Sequence, residues 1–106
     1  MNIQFKKGAL EMIVLLIIEK EDQYGYALVQ QISTHMTIAE GTVYPILRRM
    51  VKEDKLTTYY KKSTEGPARK YYRITDLGKE QLSQLLDDWD AFTYAVKQFV
   101  EGRDES

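Results

Sequence analysis

The residues with the clearest chemical potential form a basic island, residues 48–73. Nine residues of this window are basic and three are acidic, so it carries a formal charge of +6 in a chain whose net charge is −1. Positive charge concentrated within an otherwise acidic chain is the electrostatic footprint of a phosphate-binding face. Charge alone fits an ordinary solvated helix and hairpin equally well. The basic residues are Arg48, Arg49, Lys52, Lys55, Lys61, Lys62, Arg69, Lys70 and Arg73.

Several side chains in and beside this island suit double-stranded DNA. A helix fits the major groove, and the N-terminal half of a recognition helix meets the base edges. Arg48 suits either a guanine edge or a phosphate, and hairpin cations would follow the phosphate backbone or enter the minor groove. The predicted DNA-binding residues are Thr42, Val43, Tyr44, Arg48, Arg49, Lys61, Lys62, Arg69 and Lys70.

Other kinds of chemistry have little support in the sequence. Asp87 and Asp88 point in different directions on a helix, and no base or nucleophile accompanies them. His35 is the only histidine and there is no cysteine, so we expect no catalytic residue, no metal site and no cofactor.

The sequence also bears on location. The lack of cysteine and of an export signal favours a cytoplasmic protein. The apolar run of residues 9–18 is shorter than the roughly 20 residues that span a bilayer, so we expect no membrane segment.

Three helices must carry the N-terminal half of the chain. An apolar run predicts a central helix over residues 7–20, with a buried strand as the alternative. A second helix is predicted to begin near Tyr24-Gly25-Tyr26. A third is predicted over residues 38–54, begun by a capping box of Thr37 and Glu40. Pro45 is expected to kink or loosen this helix without ending it.

A hairpin is predicted next, with strands at residues 56–62 and 69–75. The polar, Gly/Pro-containing stretch of residues 63–68 would form its turn, long enough for a flexible tip. Alternation along the two strands predicts an inward-facing set of Leu56, Tyr60, Tyr72 and Ile74.

A long final helix is predicted to start at Thr75 or Asp76, where a side chain can cap it. Its apolar residues step by three and four, which is a heptad seam. A second copy of the same helix is the simplest cover for this seam, the alternative being that it folds back on its own core. The predicted dimerisation residues are Leu82, Leu85, Trp89, Phe92, Val96 and Phe99.

Trp89 lies on this seam, so two copies could approach each other across a two-fold axis. Facing aromatic planes would form a slot for a planar apolar ligand, and plain interface packing is the alternative.

Two sequence blocks resemble the signatures of PadR-like transcriptional regulators: Gly41-Thr42-Val43-Tyr44-Pro45-Ile46-Leu47-Arg48-Arg49-Met50, and Gly66-Pro67-Ala68-Arg69-Lys70-Tyr71-Tyr72-Arg73-Ile74-Thr75-Asp76-Leu77-Gly78. Tyr24-Gly25-Tyr26 is similar to the family pattern as well. The chain departs from that pattern at Asp54-Lys55-Leu56, where a glycine usually precedes the apolar residue that opens the first strand.

The resemblance implies a winged-helix domain, a homodimer formed through the C-terminal helix, and repression by binding operator DNA. With one C-terminal helix, the chain resembles the short subfamily, some members of which bind planar drugs between subunits. Trp89 matches the aromatic residue used there. The ligand-binding residues implied in this way are Phe5, Gly8, Met12, Leu86 and Trp89.

We therefore predict a mainly α fold with a small β-hairpin: a winged helix-turn-helix domain (residues 1–75), a dimerisation helix (76–101) and a flexible tail (102–106). The predicted function is a repressor that binds a pseudo-palindromic operator as a homodimer and is released by a planar aromatic or drug-like small molecule. The alternatives are a winged-helix protein-interaction module that does not bind DNA and a small-molecule binding protein without regulatory output.

Overall fold

The computed structural model describes the backbone of residues 3–103 and the side chains of residues 8–103. Within this range, the predicted combination of helices with a small hairpin is confirmed. The elements in chain order are α1 (Ile3–Lys20), β1 (Gln23–Tyr24), α2 (Gly25–Ser33), α3 (Glu40–Lys52), β2 (Leu56–Ser63), β3 (Gly66–Ile74) and α4 (Asp76–Gly102). The strands form one antiparallel sheet in the order β1-β3-β2.

The first helix is central, as its apolar sequence predicts. It contacts α2, β3 and α4, and Leu10, Val14 and Leu15 are completely buried. The alternative of a buried strand is wrong: 18 residues form one helix, which begins at Ile3 rather than at residue 7. A β-branched run is stable as a helix here because neighbouring elements cover it on several sides.

The other helices and the hairpin supply the remaining buried apolar side chains. Burial of these side chains is the main force that holds the small domain together. Outside α1, the buried apolar residues are Leu28, Val29, Ile32, Val43, Ile46, Leu47, Met50, Leu56, Tyr72 and Leu82.

Helix α3 begins later than predicted. Its N-cap is Ala39, which makes no side-chain capping bond, and the N–H of Thr42 donates to the Ala39 carbonyl at 3.0 Å. The predicted capping box is therefore wrong, because Thr37 precedes the cap and Glu40 is already the first helical residue. The helix continues through Pro45, as expected. Four buried residues on its apolar stripe compensate for the hydrogen bond that proline cannot donate.

The end of α3 explains the departure from the family pattern. Asp54 has a φ of 61°, in the left-handed region that favours glycine. The N–H of Lys55 donates to the Met50 carbonyl at 2.8 Å, and the N–H of Asp54 donates to the Val51 carbonyl at 3.1 Å. Together these bonds form a Schellman motif, with Asp54 at the position that glycine usually fills.

The hairpin is longer and its turn tighter than predicted. Only Thr64 and Glu65 separate the strands, so the predicted six-residue turn is wrong. The register passes from Lys61 opposite Arg69 to Ser63 opposite Gly66, which sets two residues of β3 against one of β2. Pro67 is one of these two, and a bulge tolerates proline because the ladder bond is already interrupted.

The inward-facing set is confirmed in part. Leu56 and Tyr72 are buried and Ile74 is half-buried, but Tyr60 is 70% exposed. Tyr60 lies opposite Lys70, where the hairpin has passed the edge of the helical core. The two-residue strand β1 was not predicted, because it is too short to show alternation.

The final helix begins as predicted. The N–H of Gly78 donates to the Thr75 hydroxyl at 3.0 Å, which caps the first turn. Gly78 packs directly on the Lys55 carbonyl, where no side chain would fit. The helix includes Gly102, the first residue of the predicted tail, and residues 104–106 lie outside the described range. No helix within residues 3–103 has the length and apolar character that crossing a bilayer requires.

Candidate nucleic-acid interface

Helix α3, the predicted recognition helix, presents a polar side opposite its buried stripe. Arg48 is exposed, and Thr42 and Tyr44 are half-buried. Val43, a predicted DNA-binding residue, is completely buried. Its side chain belongs to the core and cannot reach a base edge, so we leave it out of the interface.

Three cations of the basic island are held by carboxylates. Glu11 of α1 lies 3.1 Å from Arg49 Nη2 and 3.3 Å from Lys55 Nζ. Glu53 adds a contact of 3.3 Å to Lys55 Nζ. Arg73 Nε lies 3.1 Å from Asp22 Oδ2. Arg49 was predicted to bind DNA, but its guanidinium group is held against α1, and the lone acidic residue within the apolar run of α1 was the signal for this.

The other six cations form no ion pair with any carboxylate of residues 8–103. The charge of these six is therefore not neutralised within the described chain and is available to a partner. They lie on α3 and on both strands of the hairpin. They are Arg48, Lys52, Lys61, Lys62, Arg69 and Lys70.

One face of the sheet carries a row of tyrosines that crosses all three strands. Tyr71 stands in the middle, edge-on to Tyr24 at 5.4 Å and stacked on Tyr59 at 5.6 Å between ring centroids. Lys61 Nζ lies 5.4 Å above the Tyr71 ring, and the guanidinium carbon of Arg69 lies 4.5 Å above the Tyr24 ring. Cation–π contacts of this kind orient a cation without neutralising it.

Asp22 fixes the base of the hairpin. It accepts a hydrogen bond of 2.6 Å from the Tyr59 hydroxyl and one of 3.1 Å from Arg73 Nε. The hydrogen bond to Asp22 raises the pKa of Tyr59, and the same carboxylate raises the pKa of Arg73. The Arg73 guanidinium also lies 4.7 Å above the Tyr59 ring. This cluster joins the loop after α1 to both long strands.

The recognition helix meets the hairpin at Tyr72. Its phenol is buried close to Tyr44, Arg48 and Tyr60, and burial raises the pKa of Tyr72. Lys70 belongs to this face of the hairpin and lies 5.8 Å above the Tyr72 ring. The hairpin cations thus divide between the two faces, with Lys61 and Arg69 on the tyrosine row and Lys70 on the side of α3.

A separate apolar groove of about 290 Å³ lies between α1 and α4. Of the residues implied for ligand binding, Gly8, Met12 and Trp89 line this groove, together with Ala9, Leu85, Asp88 and Phe92. Leu86 is half-buried against the core and does not line it. The side chain of Phe5 lies outside the described range.

The heptad seam of α4 divides into two parts. Leu82 is buried, and Leu85 and Trp89 are packed on the core of their own chain. Phe92, Val96 and Phe99 are exposed, Phe99 by 82%. Leu82 was predicted to contact a second subunit, but it is a core residue, because the first turns of α4 lie on α1.

Metal-binding geometry is absent from the side chains of residues 8–103: no three His, Cys, Asp or Glu residues are grouped to hold an ion.

A family model and a solved structure both show that the chain is similar to PadR-like transcriptional regulators. The family model described as "Transcriptional regulator PadR-like family" matches residues 14–84. A crystal structure of a PadR-like transcriptional regulator (BC4206) from Bacillus cereus is 40% identical, with a TM-score of 0.83 over 92% of this chain and 96% of that one.

Two protein sequences are also similar. An uncharacterized protein of Lysinibacillus sphaericus is 38% identical over 91% of this chain and 92% of its own length. The transcriptional regulator Rv3488 of Mycobacterium tuberculosis is 29% identical over 76% of each chain.

Proposed function

The chain belongs to the PadR-like family of DNA-binding transcriptional regulators, which are not enzymes, and from this premise we propose that it is a homodimeric repressor acting on a pseudo-palindromic operator. Since its target is chromosomal DNA, we place it in the cytoplasm. The proposal rests on one observation: the cations of the basic island divide into three that are paired with carboxylates of residues 8–103 and six that are not. Carboxylates of the chain hold Arg49, Lys55 and Arg73, and the unpaired cations lie on α3 and the hairpin.

In the proposed complex α3 enters the major groove. Its accessible residues Thr42, Tyr44 and Arg48 would meet base edges or flanking phosphates. Lys61, Lys62, Arg69 and Lys70 would contact the phosphate backbone on either side of the hairpin. These hairpin contacts would supply affinity and orientation and little sequence discrimination.

A second copy is the proposed cover for the exposed end of α4. Four large apolar residues there each expose more than 40% of their surface to solvent in the single chain: Phe92, Val96, Phe99 and Val100. Pairing two such helices buries these residues and relates the two recognition helices by a two-fold axis. Half-sites one helical turn apart, roughly 34–36 Å, would then suit the dimer.

The groove between α1 and α4 is the proposed ligand site. Its lining is apolar apart from Asp88, and Trp89 offers a stacking surface. It lies beside the exposed part of α4, so a second copy would complete its walls. A planar aromatic molecule bound there would change the packing of α4 and thereby the spacing of the two recognition helices, which would release the operator.

DNA binding is tested with duplex from the region upstream of its own gene, titrated at several salt concentrations. Replacing Lys61, Lys62, Arg69 and Lys70 with alanine should weaken binding and reduce the slope of log affinity against log salt by about 0.9 for each phosphate that the variant no longer neutralises. An unchanged slope would exclude the hairpin from the interface. Quenching of Trp89 fluorescence by planar aromatics tests the ligand site separately.

A further inference from the structure

A second cleft, of about 410 Å³, lies where the start of α2, the middle of α3 and the hairpin come together. It is separate from the groove between α1 and α4. Four of its lining residues, Tyr24, Gly25, Tyr26 and Tyr72, are absent from the DNA-binding residues predicted above. The lining residues are Tyr24, Gly25, Tyr26, Tyr44, Arg69, Lys70 and Tyr72.

The charge in this cleft is entirely positive. Arg69 and Lys70 border it and no acidic residue lines it. Strand β1 ends at Tyr24, opposite Tyr71. From Lys70 toward the turn of the hairpin, β3 therefore has no neighbouring strand on that side. Arg69 and Lys70 reach the cleft along this free edge. Each cation is oriented by a ring, Arg69 by Tyr24 at 4.5 Å and Lys70 by Tyr72 at 5.8 Å.

Phenol hydroxyls supply the hydrogen-bond donors. Tyr26 is 56% exposed at the start of α2. Tyr44 reaches the cleft from α3 by lying directly on Gly25, where a Cβ atom would come within 2.6 Å of Tyr44 Cε1. Two cations and two hydroxyls without a carboxylate suit a phosphate group, which accepts several charge-assisted hydrogen bonds.

We propose that this cleft seats one phosphate of the DNA backbone in each half-site, with Arg69 and Lys70 supplying charge and Tyr26 donating a hydrogen bond alongside Tyr44. The inference rests on the DNA docking proposed above and adds α2 to the interface. A backbone phosphate is favoured over a free one because Tyr44 belongs to the recognition helix, so the cleft continues the surface that meets the duplex. One phosphate then fixes α2, α3 and the hairpin relative to each other.

Tyr26→Phe tests the proposal, because it removes one hydroxyl from an exposed ring. Loss of a hydrogen bond to a charged group should weaken binding to the upstream duplex about tenfold. Tyr94→Phe is the matched control, because Tyr94 is 69% exposed on α4. The affinity of this variant for the duplex should equal that of the wild type. Circular dichroism verifies that both variants are folded.

Duplexes carrying one neutral methylphosphonate locate the contact. The wild type should lose affinity at one particular phosphate in each half-site. Tyr26→Phe should lose less at that same position. In this variant only the contacts of the phosphate with Tyr44, Arg69 and Lys70 remain to be weakened. The phosphate site would be overturned if Tyr26→Phe bound the duplex as tightly as the wild type, or if it kept the full methylphosphonate effect. Either result would leave the repressor proposal standing. Failure of the wild type to bind the duplex at low salt would overturn both.

Inorganic phosphate separates the two sources of the phosphate group. Without DNA and at matched ionic strength, titrated inorganic phosphate should show no saturable binding to the wild type. Saturable phosphate binding that Tyr26→Phe abolishes, with the DNA affinity of that variant unchanged, would identify a site for a free anion and would overturn the assignment to the DNA backbone.

Discussion

Lys55 Nζ lies 3.3 Å from Glu11 Oε1, and this contact ties the turn after the recognition helix to the central helix. Arg49 reaches the other oxygen of the same carboxylate at 3.1 Å. The Lys55 backbone carbonyl accepts a hydrogen bond of 3.1 Å from the N–H of Thr75, immediately before α4. The position of α3 is therefore set by α1 and by the start of α4, the two helices that line the apolar groove.

Replacing Glu11 with glutamine should destabilise the fold by about 2 kcal/mol, because two partly buried cations would keep only the more exposed Glu53 as a counter-charge. Glu11 and Lys55 are both only 17% exposed. Chemical unfolding monitored by circular dichroism measures the loss. Glu101→Gln is the control, since the Lys97–Glu101 pair is highly exposed and should contribute less than about 1 kcal/mol. Equal losses in the two variants would contradict a special role for Glu11.

Replacing Gly25 with alanine should weaken DNA binding more than it weakens the fold. The new methyl group meets the ring of Tyr44, a movable side chain, rather than backbone. Tyr44 would rotate away from the duplex while the buried stripe of α3 stays in place. DNA affinity and thermal unfolding are measured together. Gly102→Ala, where a Cβ meets nothing within 4 Å, should change neither, and the prediction fails if Gly25→Ala leaves DNA affinity intact.

Replacing Asp54 with glycine should raise stability by about 1 kcal/mol, because a left-handed φ costs an L-residue roughly that much. The backbone carbonyl that accepts a 2.6 Å hydrogen bond from the Thr75 hydroxyl is kept. For a domain of this size the midpoint of thermal unfolding should rise by about 4–8 °C. Asp54→Ala retains the strain and should not produce this rise. A lower midpoint for the glycine variant would show that the Asp54 carboxylate contributes more than the strain costs.

Replacing Asp22 with asparagine should loosen the hairpin, because Tyr59 and Arg73 would no longer share a charged acceptor. The raised pKa of Tyr59 means that this stabilisation is present below the ordinary tyrosine pKa of about 10 and is lost as the pH rises through the higher folded value. The difference in stability between wild type and variant should therefore narrow at alkaline pH, where only the Asp22–Arg73 ion pair remains. Chemical unfolding monitored by circular dichroism at a series of pH values follows the change, and a constant difference across that range would contradict it.

Replacing Phe99 with lysine should shift the protein from dimer to monomer, because it places a charge in the proposed apolar contact between α4 helices. Sedimentation velocity measures the change. Gln98→Lys introduces the same charge at the neighbouring exposed position and should remain dimeric. A wild-type chain that sediments as a monomer at high concentration would refute the dimer directly.

The architecture could be predicted because it follows from local patterns. Thr75 is a capping residue followed by an amphipathic run, and the apolar stripe of α3 passes through Pro45 without a break. What could not be predicted depends on contacts between distant segments. Tyr60 and Tyr72 alternate in the same way, yet only Tyr72 lies over the core, and Val43 and Arg49 are drawn inward by neighbours that no local pattern reveals.

The candidate site shows the same limit. The sequence shows which residues are basic, but the fold determines which of them are paired with carboxylates and which are available to a partner. Glu11, Asp22 and Gly25 lie at least 23 residues before Arg48 in the chain, yet they neutralise or orient side chains of the basic island and its recognition helix. Spacing along the chain gives no signal for such pairs.

The exposed apolar end of α4 has a consequence for abundance. If a second copy covers it, part of the folding free energy comes from association and scales with the logarithm of protein concentration. The thermal midpoint should then rise as the protein is concentrated. In a cell, newly made chains would be vulnerable to proteolysis until enough copies accumulate, so occupancy of the operator would begin at a threshold level of synthesis.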